Sequence, residues 1–299
     1  MALRGSNSTA ARRGGGRLAA RAGWMLALAV WLHCASGCGL GNQFLFSATH
    51  EFPATPAQYR VPYQEFWFHA RDGTVLNGWF TAGSSGKPLV LYFHGNGGNL
   101  SDGVQYLTLL HSMGYPVCIF DYRGYGKSGG LVHAERDLYD DARGMLDFLE
   151  GEGWRHESMI YYGQSLGAAV ALQMALERAP SGLVLESPFT SLADVQKHLS
   201  PVAYVLFGWW SFYAKFDNLA KIPRVNVPLL FISGDRDELT PLEMTLRLYS
   251  NTQAPKMLYI LRGANHCDAA ANGGAAYLDA WRRFDRLLSR EFTAGTRRP

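Results

Sequence analysis

A serine hydroxyl is a poor nucleophile until a base takes its proton. A serine in a suitable setting stands at Ser165, the centre of Gly163-Gln164-Ser165-Leu166-Gly167. The residues before it, Met159–Tyr162, form an apolar run, and those after it (AAVALQMALERA) are rich in alanine. A strand followed by a helix is the context that makes a G-x-S-x-G pentapeptide a sharp, strained turn. The flanking positions need glycine because a Cβ there would meet neighbouring backbone. Ser165 would then project from the carboxyl end of its strand.

Candidates for the base and its partner lie downstream. His266 ends Gly263-Ala264-Asn265-His266, just after the apolar run MLYIL, and Asp235 and Asp237 follow the run LLFIS. Both positions are loops leaving strand ends, where open α/β sheets gather functional groups. Serine, acid and histidine also occur in the order that this pentapeptide context calls for. A histidine acting as general base here is typically worth ~10²–10⁴ in rate, and a carboxylate behind it fixes the tautomer and stabilises the imidazolium. One of the two aspartates takes that part, and the other is a solvated or turn-forming carboxylate. His111 and His133 fall in helix or loop contexts with no strand end.

A third piece is Phe93-His94-Gly95-Asn96-Gly97-Gly98-Asn99, after the run LVLYF. Its position is that of a loop giving one oxyanion donor, with the N–H of the residue after the nucleophile as the second. Those donors are the backbone amides of Asn96 and Leu166, and losing one such donor typically costs about 2.7–4 kcal/mol of barrier. The loop has no Gly-Lys-Ser/Thr ending and so does not fit a phosphate cradle.

The elements that must position these residues read as an α/β alternation. Strands are expected at Pro62–His69, Leu76–Thr81, Leu89–Phe93, Pro116–Asp121, Met159–Tyr162, Leu183–Glu186, Leu229–Ser233 and Met257–Leu261. Arg71-Asp72-Gly73 makes the first two a hairpin. The later runs are continuously apolar, as in parallel strands covered on both faces. Helices are expected at Leu100–Met113, Glu135–Gly151, Leu166–Ala179, Leu242–Tyr249 and Ala275–Arg290. The segment 187–224, with Leu206-Phe207-Gly208-Trp209-Trp210-Ser211-Phe212-Tyr213, interrupts the alternation and is read as a small cap. Glu186, ending an apolar strand, reads as a buried hydrogen-bonding carboxylate, and Asp121 and Arg123 as residues that fix loop backbone.

The first part of the chain has another character. Residues 1–37 carry five arginines and no acidic residue, and the apolar run Gly23–Leu32 precedes Ala35-Ser36-Gly37-Cys38. A positive start, a short apolar core and small residues make a secretory signal peptide, and ten apolar residues are fewer than a membrane span needs. Taking those five charges from the net +3 leaves −2 for residues 38–299, which gives no reason to expect nucleic-acid binding. Ala35-Ser36-Gly37-Cys38 also resembles a bacterial lipobox, which would put lipid on Cys38. The expected layout is a lipoprotein-type signal peptide over 1–37, an anchor linker over 38–58 and one domain over 59–299. Export to a bacterial envelope follows, facing the periplasm, with the outer membrane favoured because Gly39 is not aspartate. Cys118 and Cys267 are expected as free thiols.

Taken together, HGNGGN, FDYRGYGKSGG, GQSLG, ESPFTSL, SGDRDELTP and GANH resemble the α/β-hydrolase family from about residue 60 to 290. They look most like its membrane-anchored hydrolases. The resemblance implies an eight-stranded, mostly parallel sheet with helices on both faces and a small helical cap. It implies a serine hydrolase cleaving ester or thioester bonds of a small-molecule or lipid acyl substrate, without metal or organic cofactor. By the G-x-x-D spacing usual in the family, it favours Asp237 over Asp235. Cys267-Asp268 after the histidine departs from the pattern. A peptidase of the same fold and a catalytically silent binding protein are the competing expectations.

Overall fold

The computed structural model describes residues 46–205 and 214–295. The expected signal peptide, Cys38 and the aromatic run 206–213 lie outside the described residues.

Eight strands form one sheet: β1 Gln64–His69, β2 Val75–Thr81, β3 Leu89–Phe93, β4 Val117–Phe120, β5 Met159–Gln164, β6 Gly182–Glu186, β7 Leu229–Gly234 and β8 Lys256–Leu261. Their order is β1-β2-β4-β3-β5-β6-β7-β8. β2 runs antiparallel to both β1 and β4, and every other pairing is parallel. The sheet is thus mostly parallel, with β2 as its one reversed strand. β1 and β2 are joined by a tight turn in which Gly73, at φ 86°, donates its N–H to the Ala70 carbonyl at 2.9 Å.

β3 through β7 are buried along their whole length. Their alternate residues enter two cores. Leu89, Leu91, Phe93, Tyr161, Leu183 and Phe231 face one; Val90, Tyr92, Tyr162, Val184 and Ile232 face the other. The first core is completed by α2 Glu135–Gly151, α3 Leu166–Glu177 and α5 Leu242–Asn251. The second is completed by α1 Val104–Ser112 and α6 Gly274–Gly295. Helices on both faces explain why these strands read as unbroken apolar runs rather than alternating ones. Each fully buried large aliphatic side chain contributes roughly 1.5–3 kcal/mol.

The helix expected from Leu100 opens as a 3₁₀ turn, Leu100–Gly103, capped by the Asn99 side chain accepting the Ser101 N–H at 2.9 Å. The interrupting segment contains a helix, α4 Leu192–Leu199, which begins where Ser191 Oγ accepts the Asp194 N–H. It returns through the short helix Asn218–Lys221. Its return is fastened to α2, because Glu135 accepts the N–H groups of Lys215 at 2.7 Å and Phe216 at 2.8 Å.

The chain between residues 46 and 52 is folded onto the domain. Ser47–Ala48 pairs in parallel with Gly97–Gly98, and Thr49 donates its N–H to the Gly98 carbonyl at 2.9 Å. The buried Asn99 side chain donates to the carbonyls of Thr49 at 3.2 Å and Glu51 at 2.7 Å. Cys118, on β4, and Cys267 are free thiols.

Candidate active site

Ser165 stands between β5 and α3 with φ 52° and ψ −114°, a strained conformation for a residue with a Cβ. The neighbouring glycines explain how the turn is held. A Cβ on Gly163 would lie 2.3 Å from the Gly167 carbonyl oxygen, and one on Gly167 would lie 2.0 Å from that of Phe93. Only bare backbone fits in both places. The Ser165 N–H donates to the Glu186 carbonyl at 2.9 Å, which ties the turn to the end of β6.

Two loops bring up the other residues. Gly234 ends β7 so close to the loop after β8 that a Cβ on it would lie 2.3 Å from the Ala264 carbonyl oxygen. Arg236 donates its N–H to that carbonyl at 2.9 Å. The result is a continuous line of side chains. Ser165 Oγ lies 3.0 Å from His266 Nε2, and His266 Nδ1 lies 2.8 Å from Asp237 Oδ2. Burial works against a charge on Asp237. The His266 hydrogen bond and the Thr240 N–H and hydroxyl outweigh it and hold the carboxyl below its ordinary value of 3.8. Asp237 is therefore a carboxylate near neutral pH, so Nδ1 carries the imidazole proton and Nε2 presents its lone pair to the Ser165 hydroxyl.

Asp235 turns elsewhere and accepts the Gly263 N–H at 2.6 Å. Asp237 is the aspartate that meets the histidine.

The loop carrying Asn96 adjoins the serine, since a Cβ on Gly95 would lie 3.7 Å from Ser165 Cβ. Tyr125 Oη lies 3.0 Å from the Asn96 carbonyl oxygen and 3.2 Å from Asn96 Oδ1, as donor to that residue. Leu166 is the first residue of α3, where backbone N–H groups have no partner within the helix. Beneath the loop, burial pushes His94 down to about 4 and Asp121 up to about 8. The two side chains lie 3.5 Å apart.

Sequence reasoning missed Thr240. Its hydroxyl lies 2.9 Å from Asp237 Oδ2, 3.1 Å from the Ser187 carbonyl oxygen and 3.2 Å from His266 Nδ1. Its N–H donates to Asp237 Oδ1 at 2.8 Å, beside that of Leu239 at 3.0 Å. The signal was present as Asp237-x-x-Thr240, an aspartate accepting from the backbone two and three residues on.

The sheet order and the strained serine turn define an α/β-hydrolase, and the chain belongs to that family. Rv2307c of Mycobacterium tuberculosis strain H37Rv, described as uncharacterised, is 37% identical over 222 residues, covering 72% of this chain and 76% of that protein. An α/β-hydrolase domain-containing protein of Arabidopsis thaliana, WAV2, is 27% identical over 245 residues, covering 76% of this chain and 79% of its own. The sequence family described as serine aminopeptidase, S33, matches residues 84–218. Among solved structures, the esterase Pf2001 of Pyrococcus furiosus superposes with a TM-score of 0.67 at 20% identity, over 82% of this chain and 97% of that one. The protein is a hydrolase of the α/β fold.

Proposed function

We propose that the protein is a serine hydrolase cleaving carboxylic ester or thioester bonds of acyl substrates. The observation that carries this reading is the unbroken line Ser165 Oγ, His266 Nε2, His266 Nδ1, Asp237 Oδ2, with both contacts at hydrogen-bond length. Ser165 attacks the acyl carbonyl as His266 takes its proton. The amides of Leu166 and Asn96 receive the oxyanion. His266 then protonates the leaving alcohol or thiol, and water repeats the cycle on the acyl-enzyme.

The decisive experiment is hydrolysis of a chain-length series of p-nitrophenyl esters by residues 39–299, beside Ser165→Ala. Turnover in the parent that disappears in the variant supports the reading. Equal turnover in both removes Ser165 from the mechanism.

A peptidase reading is favoured by one observation, the match to the serine aminopeptidase family over residues 84–218. That match includes Ser165 but ends before Asp237 and His266. Aminoacyl p-nitroanilides run beside the esters separate the two: cleavage of the anilides in preference to the esters replaces the esterase reading with the peptidase one.

For location, we propose export and attachment to a bacterial envelope membrane through lipid on Cys38. Support comes from the basic, acid-free leader and the run Ala35-Ser36-Gly37-Cys38. Cys38→Ala moves the protein from the membrane to the soluble fraction if the anchor is lipid on that residue; an unchanged membrane share rejects it.

A further inference from the structure

Glu186, at the end of β6, is 1% exposed and lies under the site without touching the Ser165, His266 and Asp237 side chains' line. Its partners are three tyrosine hydroxyls and one amide, none of them charged. Oε1 lies 2.7 Å from Tyr106 Oη and 3.1 Å from Gln164 Nε2. Oε2 is bonded to Tyr162 Oη and lies 3.4 Å from Tyr277 Oη.

The network reaches both loops of the site. Gln164 immediately precedes Ser165, and its amide lies 2.6 Å from Tyr106 Oη. Tyr106 Oη also lies 3.0 Å from the carbonyl oxygen of Cys267, the residue after His266. The Tyr106 hydroxyl thereby joins the strand end carrying the serine to the loop carrying the histidine, and the Glu186 carboxyl bonds both Tyr106 and Gln164.

Counting hydrogens decides the state of that carboxyl. Tyr106 has one hydroxyl hydrogen and two lone pairs. Gln164 donates to it. If Glu186 were ionised, both the carboxylate and the Cys267 carbonyl would need the single Tyr106 hydrogen, and one buried acceptor would face a lone pair. With a proton on Oε1, Glu186 donates to Tyr106 and Tyr106 donates to Cys267. The hydroxyl then accepts two bonds and gives one, which fills its capacity. Burial acts in the same direction, pushing Glu186 above its ordinary 4.5.

We propose that Glu186 is a neutral carboxylic acid at physiological pH and is the positioning residue that fixes the Ser165 turn and the His266 loop relative to each other. The proposal rests on the serine-hydrolase reading only in the roles given to Ser165 and His266.

Two variants of the full chain test it. Glu186→Gln removes the titration and keeps a donor toward Tyr106, giving up the weaker Gln164 contact. A group with a raised folded-state pKa stabilises the fold below its unfolded value and loses that contribution as pH rises through the folded one. The Tm of Glu186→Gln relative to the parent therefore climbs as pH is raised above 4.5. A relative Tm that falls with pH would mean an ionised Glu186 and would overturn the neutral-acid assignment. This measurement needs no activity, so it stands even if the ester assay fails.

Tyr106→Phe cuts the link to Cys267. Its kcat should fall about three- to tenfold, the rate equivalent of one hydrogen bond, with KM little changed. The His266 Nδ1–H resonance should shift in a proton NMR spectrum, which is read without substrate. An unmoved resonance would overturn the positioning role; loss of Ser165 dependence in the parent would instead sink the hydrolase reading.

Discussion

Asp235 accepts the Gly263 N–H at 2.6 Å, and by that bond the loop after β7 grips the loop after β8. The Asp235 N–H adds a second tie, donating to the Leu261 carbonyl at 3.1 Å. Two aspartates two positions apart thus have separate work. Asp235 holds the loops together, and Asp237 meets the imidazole that the joined loops present.

The two should separate in kinetics. Asp237→Asn should lower kcat by roughly 10⁴, the scale of that change in a serine-protease triad, where the wrong tautomer is left facing the serine. Asp235→Ala should lower the Tm while keeping kcat within about tenfold, since it removes the acceptor of the Gly263 N–H, one loop bond worth about 0.5–1.5 kcal/mol. Steady-state assays of both variants on one ester check this. Equal losses of kcat would mean that the division of roles is wrong.

Thr240 should matter through its hydroxyl alone. Thr240→Val keeps the shape but leaves Asp237 Oδ2 without the hydroxyl 2.9 Å away. The expected fall in kcat is about three- to tenfold, one hydrogen bond's worth, and Thr240→Ser should restore most of it. If serine rescues nothing, the contribution is the methyl group's packing instead.

The parts of the site legible in the sequence are those whose signal is local. Gly163 and Gly167 flank Ser165 because backbone passes within a Cβ's radius, and that demand is written in one pentapeptide. The strands were legible because burial on both faces makes each an apolar run. What escaped is distributed. Tyr92, Tyr106, Tyr162 and Tyr277 read singly as core aromatics, and only the fold collects the last three around Glu186. The pairing of Ser47–Ala48 with Gly97–Gly98 is two residues long, too short to leave a period of two. The helix α4 had a readable cap, Ser191-x-x-Asp194, but its apolar neighbours submerged it in the expected cap segment.

The chain from Phe46 to Glu51, expected as part of a linker, should prove necessary to the site. Its ladder and the Asn99 side chain hold the loop on which Asn96 sits. Protein starting at residue 46 should match the ester turnover of protein starting at 39, and protein starting at 52 should lose at least about tenfold. Asn99→Ala should cost about 1–3 kcal/mol in urea unfolding, the penalty for leaving the buried Ser101 N–H unpaired. Full activity from residue 52 onward would reduce this segment to a tether.

Asp237 should also mark the acid limit of the fold. Burial raises its pKa, but the bonds from His266 and Thr240 win, leaving the folded value below 3.8. A lowered folded-state pKa gives stability that is complete above the unfolded value and is lost as pH falls through the folded one. Asp237→Asn should therefore be most destabilised relative to the parent at neutral pH, and the gap should begin to close only as pH drops below 3.8. Tm values of both proteins from pH 7 downward check the sign. A gap that widens in acid would mean that the folded site holds a proton on Asp237 more tightly than the unfolded chain does. The carboxylate, and with it the Nδ1–H tautomer of His266, would then be misassigned.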